Sequence, residues 1–453
     1  MSPDDLVDAG QRALDCAKAA GASAADVMVS RSTEFEVKVA DGAILTLSQA
    51  TSRGLGLRVF VDGKVGFCTT HDLGREALEA ASERAVAFAR QATVDPHNDL
   101  TAGAAICRAD AGEDLQLYDP QVAALSVDEK VRWAHAIEAV ARATDPAIAA
   151  FQDSGVASEE RASALLTSAG TCHQRLATNI TLWCSPVAKR DDALQTELWY
   201  DTRTHLADLQ SCVAVGQEAA RRALRMLGAK PSKTQRVPVI FEPQMAAGLL
   251  AAMLGALDGD AVYKKASFLA DRLGTQIGAS ELTLVDDPHL ARSPGSARFD
   301  GEGVPTRRKK LLDRGQLATF LYDGYTARKA GVASTANARR SCLTLPRIGA
   351  FNVYAEPGPH EPDAIVANTA RGLLLTRGLG RGLNNVSGEY SRGANGLWIE
   401  RGEIAHPVQE VTIAGDYINM LRSIDMIGSD LTMRGSTGAP TLRIADMTVS
   451  GSI

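Results

Sequence analysis

Eight histidines and seven cysteines are the side chains in this sequence that most often ligate transition metals or act as nucleophiles. They are His71, His97, His135, His173, His205, His289, His360, His406, Cys16, Cys68, Cys107, Cys172, Cys184, Cys212 and Cys342. No two histidines are close enough in sequence to share a helical face, and there is no His-Glu-x-x-His or Cys-x-x-Cys motif. A site assembled from distant residues stays open, but the local spacing predicts no metal site.

Other catalytic motifs are also missing. There is no Gly-x-Ser-x-Gly elbow for a nucleophilic serine and no Gly-x-x-x-x-Gly-Lys-Ser/Thr loop for a phosphate. Adjacent carboxylates occur at Glu159-Glu160, at Asp191-Asp192 and at Asp286-Asp287, but neighbouring side chains diverge, so we predict solvated surface charge at each. The basic run at 307–310 suits an acidic partner, although a solvated strand edge is the favoured interpretation. The residue chemistry alone therefore predicts no active site.

Composition bounds the class of protein. A chain of 453 residues exceeds one ordinary core, and 45% hydrophobic with 23% charged residues is typical of a soluble globular protein. The net charge of -6 argues against nucleic-acid binding, because such proteins usually carry a basic excess. The longest apolar stretch, 245–257, is shorter than the ~20 residues that span a bilayer. With scattered cysteines and an acidic start, we expect a cytoplasmic protein without membrane contact.

The elements that must position any site alternate between helices and strands, which predicts an α+β fold. Helical periodicity covers 4–20, 74–90, 126–143 and 213–227, and strand-like alternation covers 27–39 and 54–61. Asp41-Gly42 predicts a hairpin turn, and Ser126 with Glu129 three residues later predicts a capping box. The polar, proline-containing stretch 230–235 follows a helix end and is the predicted linker. We therefore predict two domains: an N-terminal α/β sandwich-like domain at 1–230, and a C-terminal strand-rich, barrel-like domain at 236–453.

Several longer segments resemble the TldD/PmbA protein family in order and approximate spacing over nearly the whole chain. They are 26–70, which includes 52–66 (SRGLGLRVFVDGKVG), and 285–288 (VDDP), 299–306 (FDGEGVPT), 337–341 (NARRS), 388–400 (GEYSRGANGLWIE) and 410–415 (EVTIAG). The Ser-Arg-Gly-Ala-x-Gly-x-Trp-x-Glu pattern at 391–400 is similar to the PmbA (TldE) type of that family. The resemblance implies a two-subunit peptidase of which this type is one half.

The resemblance also implies where the chemistry of the family resides. TldD-type chains carry His-Glu-x-x-x-His on the helix after the first strand of the C-terminal domain, and a cysteine near the C-terminus. Here the corresponding positions are Ala251, Ala252 and Ala256, and 435–440 contains no cysteine. Methyl groups neither ligate a metal nor move a proton. We therefore expect no catalytic residue, metal ligand or cofactor in this chain, a zinc-like metal on the partner subunit, and a helix at 245–257 that is buried on every face.

The partners follow from the same resemblance. We expect a heterodimer with a TldD-type metal-bearing subunit, or a homodimer when this chain is alone, acting on unfolded peptides such as leader peptides of modified peptide antibiotics or unstable regulatory proteins. The residues expected to line the chamber or bind substrate are Asn337, Arg339, Arg340, Tyr390, Ser391 and Arg392. Interdomain hydrogen bonding is the competing interpretation for each. Alternatives for the whole chain are a self-associating binding or structural protein, and an independent hydrolase with a thiol or hydroxyl nucleophile.

Overall fold

The structure is a computed structural model that describes residues 3–100, 114–380 and 382–451, so Cys107 lies outside the described residues. The predicted α+β class is confirmed. In the N-terminal half, helices pack on one side of a single sheet. In the C-terminal half, a closed barrel lies beside a second sheet, as the prediction of a barrel-like, strand-rich region required.

A seven-stranded antiparallel sheet forms the N-terminal half, in the order β3-β2-β1-β4-β5-β6 with β7 also paired to β5. Its strands are β1 (Ala24–Ala40), β2 (Ala43–Val61), β3 (Lys64–Thr70), β4 (Ile148–Thr167), β5 (Cys172–Arg190), β6 (Ala193–Thr196) and β7 (Trp199–Arg203). Strand β2 is longer than the predicted 54–61, because its pairing with β1 continues from Phe60 to Ala43, with one register shift between Lys38 and Val39. The predicted Asp41-Gly42 turn is present, with φ of 50° and 80°, as a tight hairpin requires.

Helices cover one face of this sheet. They are α1 (Pro3–Ala19), α2 (Arg75–Gln91), α3 (Pro120–Ala124), α4 (Val127–Thr144) and α5 (Cys212–Arg225). Alternation along β1 directs Val27 and Val37 toward these helices, and both are fully buried. The α4 helix begins with a capping box: Ser126 Oγ accepts from Glu129 N at 3.3 Å, and the Glu129 carboxylate accepts from Ser126 N at 3.0 Å. These contacts define the residue at which α4 begins.

The C-terminal half is built around a barrel. Its strands are β8 (Gln235–Phe241), β15 (Arg371–Leu379), β16 (Glu389–Glu400), β17 (Glu403–Asp416) and β21 (Leu442–Ser450), with β18 (Ile424–Ile427) added to β21. Pairing of β17 with both β16 and β21 closes the ring, which leaves no free edge in it.

A second sheet has the order β11-β10-β9-β14-β20-β19. Its strands are β9 (Leu284–Asp286), β10 (Lys309–Asp313), β11 (Gln316–Leu317), β14 (Val353–Ala355), β19 (Thr432–Arg434) and β20 (Thr437–Ala439), and a separate pair is β12 (Ala338–Arg339) with β13 (Arg347–Ile348). The helices are α6 (Pro243–Ala252), α7 (Gly259–Tyr263), α8 (Gly324–Ala330), α9 (Pro362–Ala367) and α10 (Tyr417–Arg422). No helix in the described ranges has the length and apolar character that crossing a membrane requires.

Candidate functional site

Helix α6 lies between the barrel and the second sheet, where it contacts β8 and β15 on one side and β14 and β20 on the other. Pro243 stands in its first turn, where a missing backbone N–H costs no helical hydrogen bond. Ala246, Leu249 and Leu250 are buried, but Gly248 is exposed. The expectation that this helix is buried on every face is therefore wrong, because one side of it remains open.

From residue 248 to residue 255, the side chains on that open side are very small. Gly248 and Gly255 are exposed and Ala251 and Ala252 are half-buried, whereas Ala256 is completely buried in the core. The spacing of three to four residues places the exposed positions along one side of the helix and of the short 3-10 turn that continues it. The open side of α6 therefore presents hydrogen atoms and methyl groups to its surroundings.

Polar side chains border the open side of α6. A Cβ atom placed on Gly248 would lie 4.0 Å from Arg392 Nη1, and one placed on Gly255 would collide with the side-chain amide of Asn385. Below the helix, the buried hydroxyl of Tyr417 donates a 2.6 Å hydrogen bond to Leu249 O, which holds the helix to α10. The result is a shallow surface of small residues with a guanidinium and an amide at its rim.

The C-terminal segment that the resemblance pairs with this helix is its neighbour in space. Strand β20, Thr437–Ala439, packs directly on α6. The two segments to which the resemblance assigns the histidines and the cysteine of TldD-type chains are thus in contact in this chain, and here they contain alanines and Thr437-Gly438-Ala439. Among the described residues, no three His, Cys, Asp or Glu side chains are grouped so that they fit a metal ion. The residues at α6 do not fit a metal, since they lack donor atoms.

The predicted residues Asn337 and Arg339 are engaged within the chain. Asn337 is fully buried and donates from Nδ2 to Asp286 Oδ2 and to Gly349 O, at 3.0 Å each. The guanidinium of Arg339 lies 4.7 Å from the centre of the Phe351 ring. Burial lowers the pKa of Arg339. Binding of substrate by either residue stays a prediction.

Asp286 shows why the prediction of solvated charge at 286–287 is wrong. Its carboxylate is completely buried and accepts from Phe351 N at 2.8 Å and from Lys309 Nζ at 3.2 Å, in addition to Asn337. The Lys309 side chain is only 9% exposed, so the run 307–310 is not a fully solvated edge either. A carboxylate with several donors, one of them charged, is stable without water.

Arg340 joins the two halves of the molecule. Its Nη1 lies 2.5 Å from Asp26 Oδ1 on β1, and its Nη2 donates to Gly56 O on β2 at 3.4 Å. Arg58 on β2 contacts the other oxygen of Asp26, with Nε at 2.9 Å, and donates from Nη1 to Glu302 Oε1 at 3.1 Å. All four side chains are buried, and their charges balance.

The two guanidinium groups of this network stabilise the ionised form of Asp26. Burial raises the pKa of Asp26, but the guanidinium groups of Arg340 and Arg58 outweigh burial and hold that pKa below its usual value. The neighbouring Asp300 behaves oppositely: burial and the Glu302 carboxylate raise the pKa of Asp300 to about 7, despite hydrogen bonds from three backbone N–H groups. The hydrogen bonds of Arg340 to Asp26 and Gly56 therefore agree with the competing interpretation for this residue, which is interdomain hydrogen bonding.

The remaining predicted residues, Tyr390, Ser391 and Arg392, are consecutive on β16, and Arg392 lies at the rim of α6. Tyr390 is buried, with its ring centre 6.2 Å from that of Tyr417. Burial raises the pKa of Tyr390, and the nearby Arg392 guanidinium offsets part of that effect. Arg392 donates to Gly378 O at 3.1 Å, and Ser391 is exposed. Arg392 is therefore the predicted residue that lies beside α6, whereas Ser391, its neighbour on β16, is directed to the opposite face of the strand. Their role with substrate stays a prediction.

A second exposed feature is the first part of β2. Every residue from 43 to 53 is exposed, and this part of the strand pairs only with β1, because β3 begins its pairing at Leu55. Ile44, Leu45 and Leu47 are 48–57% exposed. Ile44 and Leu47 lie opposite the core residues Val39 and Val37, so they extend the core-facing side of the sheet beyond its helices. We call residues 43–53 the open edge.

The charge network contains residues that sequence reasoning did not single out. Asp26, Arg58 and Glu302 all fall within or beside the segments that resemble the family, but no spacing rule joins residues 26, 58, 302 and 340. The sequence signal that could have indicated these residues is that charged side chains lie within otherwise apolar, glycine-rich segments. Only the tertiary structure brings them together.

Family models of three domains match the sequence of this chain. They describe PmbA/TldA metallopeptidase domain 1 at residues 25–89, the central domain at 120–227 and the C-terminal domain at 234–451. The chain belongs to the PmbA/TldD metallopeptidase family.

The relatives place the chain on the PmbA side of that family. Metalloprotease PmbA from Escherichia coli O157:H7 is 31% identical over 94% of this chain and 92% of its own length. The PmbA homologue of Haemophilus influenzae is 31% identical over 97% and 95%. The TldD homologue of the same organism is 25% identical over 94% and 93%.

Solved structures agree with the fold. A proposed modulator of DNA gyrase from Bacteroides thetaiotaomicron superposes with a TM-score of 0.91 at 30% identity, covering 99% of both chains. TldE from Thermococcus kodakarensis has a TM-score of 0.88, covering 98% of this chain and 100% of its own, and at 22% identity it shows the fold alone.

Proposed function

We propose that this chain is the subunit without metal ligands in a two-subunit metallopeptidase of the TldD/TldE type. The observation that carries the proposal concerns three alanines at and just beyond α6: Ala251 and Ala252 on its open side and the buried Ala256 after its end occupy the positions that the resemblance assigns to the family's His-Glu-x-x-x-His. These side chains provide no ligand for a metal and no base for a water molecule. Hydrolysis then depends on a TldD-type partner that carries the metal.

The contribution of this chain is to enclose the active site and to position the peptide substrate. The rim of α6 offers the Arg392 guanidinium, which is suited to the carbonyl groups of a peptide. The glycines and alanines leave room for a polypeptide backbone to approach the helix. An extended, unfolded peptide fits such a surface better than a folded protein does, because its backbone groups are free to hydrogen-bond. Leader peptides and unstable regulatory proteins are substrates of that kind, and the cytoplasm is the compartment that we propose.

The open edge supports a protein partner. Unpaired backbone groups along residues 43–53, together with three exposed aliphatic side chains, form a surface that natural proteins usually cover. The edge contains no proline and, apart from Arg53, no charged residue that would discourage pairing. We propose that the TldD-type subunit covers it.

Reconstitution tests the proposal. The purified chain, a TldD-type partner encoded by the same organism and an unfolded peptide are combined, with each subunit alone as the control. We expect a stable complex, cleavage only by the mixture, and loss of cleavage on adding a metal chelator. Cleavage by this chain alone that survives the chelator would contradict the proposal and favour an independent hydrolase.

Self-association without a peptidase role is the second candidate, and the open edge also favours it. Two copies of an edge that is nearly free of charge are able to pair antiparallel. Mass measurement in solution separates the candidates. A homodimer that persists unchanged when the TldD-type subunit is added supports the second candidate, whereas exchange into a heterodimer supports the first.

A further inference from the structure

Arg175, on β5, extends from the N-terminal sheet toward the C-terminal half. His173, two positions earlier, stacks on Phe299 with the ring centres 3.6 Å apart, so alternation along β5 directs Arg175 to the same face of the sheet, away from the helices. Arg175 Nη2 donates to Pro294 O at 3.1 Å. Its Nε is buried and has no hydrogen-bond partner within the described residues. The guanidinium is thus only partly satisfied at a junction between the two halves.

Arg339 contacts the same short segment of the C-terminal half. Its Nη1 donates to Gly295 O at 3.3 Å, which is the carbonyl next to the one that Arg175 uses. The two cations are close enough to repel each other. Burial, together with the charges of Arg339 and Arg161, lowers the pKa of Arg175 to about 10. Neighbouring buried cations are costly unless an anion completes their surroundings.

The acids near these two arginines are in contact with other groups. Glu159 accepts a 2.7 Å hydrogen bond from Arg161 Nε, and the buried Asp286 binds Lys309 Nζ at 3.2 Å. Asp300 accepts hydrogen bonds from three backbone N–H groups. Asp286 and Asp300 attract the second arginine from a distance, but in the described part of the chain no carboxylate forms an ion pair with either guanidinium.

A third cation adds to the positive charge. Arg347 lies opposite Arg339 in the β12–β13 pair, is exposed, and has neither a hydrogen bond nor an ion pair in the ranges that the structure covers. Three guanidinium groups without an ion pair thus stand against Asp300, the one nearby carboxylate that also lacks a charged partner among the described residues. The surplus is two positive charges. In addition, Arg175 Nη1 and Arg339 Nε and Nη2 keep N–H groups that are neither hydrogen-bonded within the described chain nor fully buried.

We propose that Arg175 and Arg339 together bind a small oxyanion with two negative charges, such as hydrogen phosphate. Guanidinium groups present forked N–H donors that match the oxygen atoms of phosphate, and a dianion balances the surplus of two positive charges. One arginine belongs to the N-terminal sheet and the other to the C-terminal half. The bound anion therefore connects the two halves and stabilises the folded chain, because it binds only when both arginines are in place.

The test uses the full chain and two probes, inorganic phosphate and acetate, at pH 8 and at constant ionic strength. The thermal midpoint is expected to rise with phosphate concentration and to reach a plateau, whereas acetate is expected to change it little. Titration calorimetry is expected to show phosphate binding at least about ten-fold tighter than acetate. A plateau with phosphate distinguishes a site from general screening of charge.

Two variants assign the site. Arg175→Met removes one guanidinium and is expected to abolish the rise of the midpoint with phosphate. Arg443→Met is the matched control, because Arg443 is similarly shielded, with a side chain 15% exposed, but is paired with Asp425. This control is expected to retain the rise, whatever its midpoint without phosphate.

Arg175→Lys keeps the charge without the forked donors and is expected to weaken phosphate binding by at least about three-fold. The titrations of the wild-type chain decide the proposal even where a variant fails to fold. A midpoint that changes equally with phosphate and acetate, a rise without a plateau, or a rise preserved in Arg175→Met would each overturn it.

Discussion

Arg340 and Asp26 are 314 positions apart in the sequence, yet Nη1 of the arginine lies 2.5 Å from Oδ1 of the aspartate. The Arg340 side chain has no exposed surface, and that of Asp26 is 1% exposed. With Arg58 and Glu302 they form a buried set of charges that connects β1 and β2 to the C-terminal half. Removal of one member leaves the others buried without a full complement of partners.

Replacement of Arg340 is therefore expected to destabilise the protein strongly. Arg340→Met leaves the Asp26 carboxylate with one cation instead of two, and we expect a loss of about 3–5 kcal/mol in the free energy of unfolding. The matched control is Arg236→Met, which breaks the exposed pair with Asp446 and is expected to cost about 0–1 kcal/mol. Urea unfolding of both variants measures the difference, and equal losses would contradict the role of burial.

Asp300 is expected to make stability depend on pH. Its pKa of about 7 in the folded chain lies above about 3.9, the value for an unfolded aspartate. The native state therefore binds the proton more tightly, and the stability present below about pH 4 is lost as the pH rises toward 7. The loss amounts to at most about 4 kcal/mol in the free energy of unfolding. We expect it to be absent in Asp300→Asn, because the amide does not titrate. Unfolding curves of wild type and variant that stay parallel from pH 4 to pH 8 would argue against the shifted pKa.

The open side of α6 is expected to tolerate a methyl group. Gly248→Ala places a Cβ atom 4.0 Å from Arg392 Nη1 in open space, and alanine is the better helix former, so we expect a gain of about 0.5–1 kcal/mol. Gly216→Ala in α5 is the matched control. Its Cβ would lie 2.6 Å from Ile137 O, so we expect this variant to destabilise the protein. Thermal midpoints report both effects. Destabilisation by Gly248→Ala would mean that this side of the helix is not open.

The open edge is expected to be needed for assembly but not for folding. Ile44→Lys with Leu47→Lys introduces two charges on exposed positions, which is expected to weaken association with the TldD-type subunit by at least about ten-fold and to change the unfolding midpoint little. Val213→Lys with Val332→Lys alters residues of similar exposure elsewhere and is expected to have no effect. Solution mass and midpoint measurements test this. Unchanged assembly in the first variant would place the partner on a different surface.

Local patterns predicted the local features well. The capping box at Ser126 and Glu129 and the turn at Asp41-Gly42 depend on residues a few positions apart, and both are present as predicted. The full length of β2 was not predicted, because its polar stretch, 48–53, lacks the alternation of a half-buried strand and is held by pairing with β1. The helix periods likewise located α1, α2, α4 and α5 to within a few residues.

The candidate site depended on information that local patterns lack. Burial of Asp286 requires donors from Asn337, Lys309 and the Phe351 backbone, which are distant in sequence. The open side of α6 was missed for the same reason: composition shows that Gly248 is small, but only the packing of neighbouring sheets shows that nothing covers it. Family resemblance identified the helix, whereas its exposure required the fold.

The barrel strand β8 leads directly into α6, and its two neighbours come from much later in the chain. Val239 lies opposite Leu373 on one side and Ile444 on the other. During synthesis, β8 therefore remains unpaired beside α6 until both later strands have emerged from the ribosome, since long-range pairing must wait for its partners. A nascent chain in that interval exposes an unpaired β8 and an apolar helix, so we expect chaperones to hold the C-terminal half until late in translation.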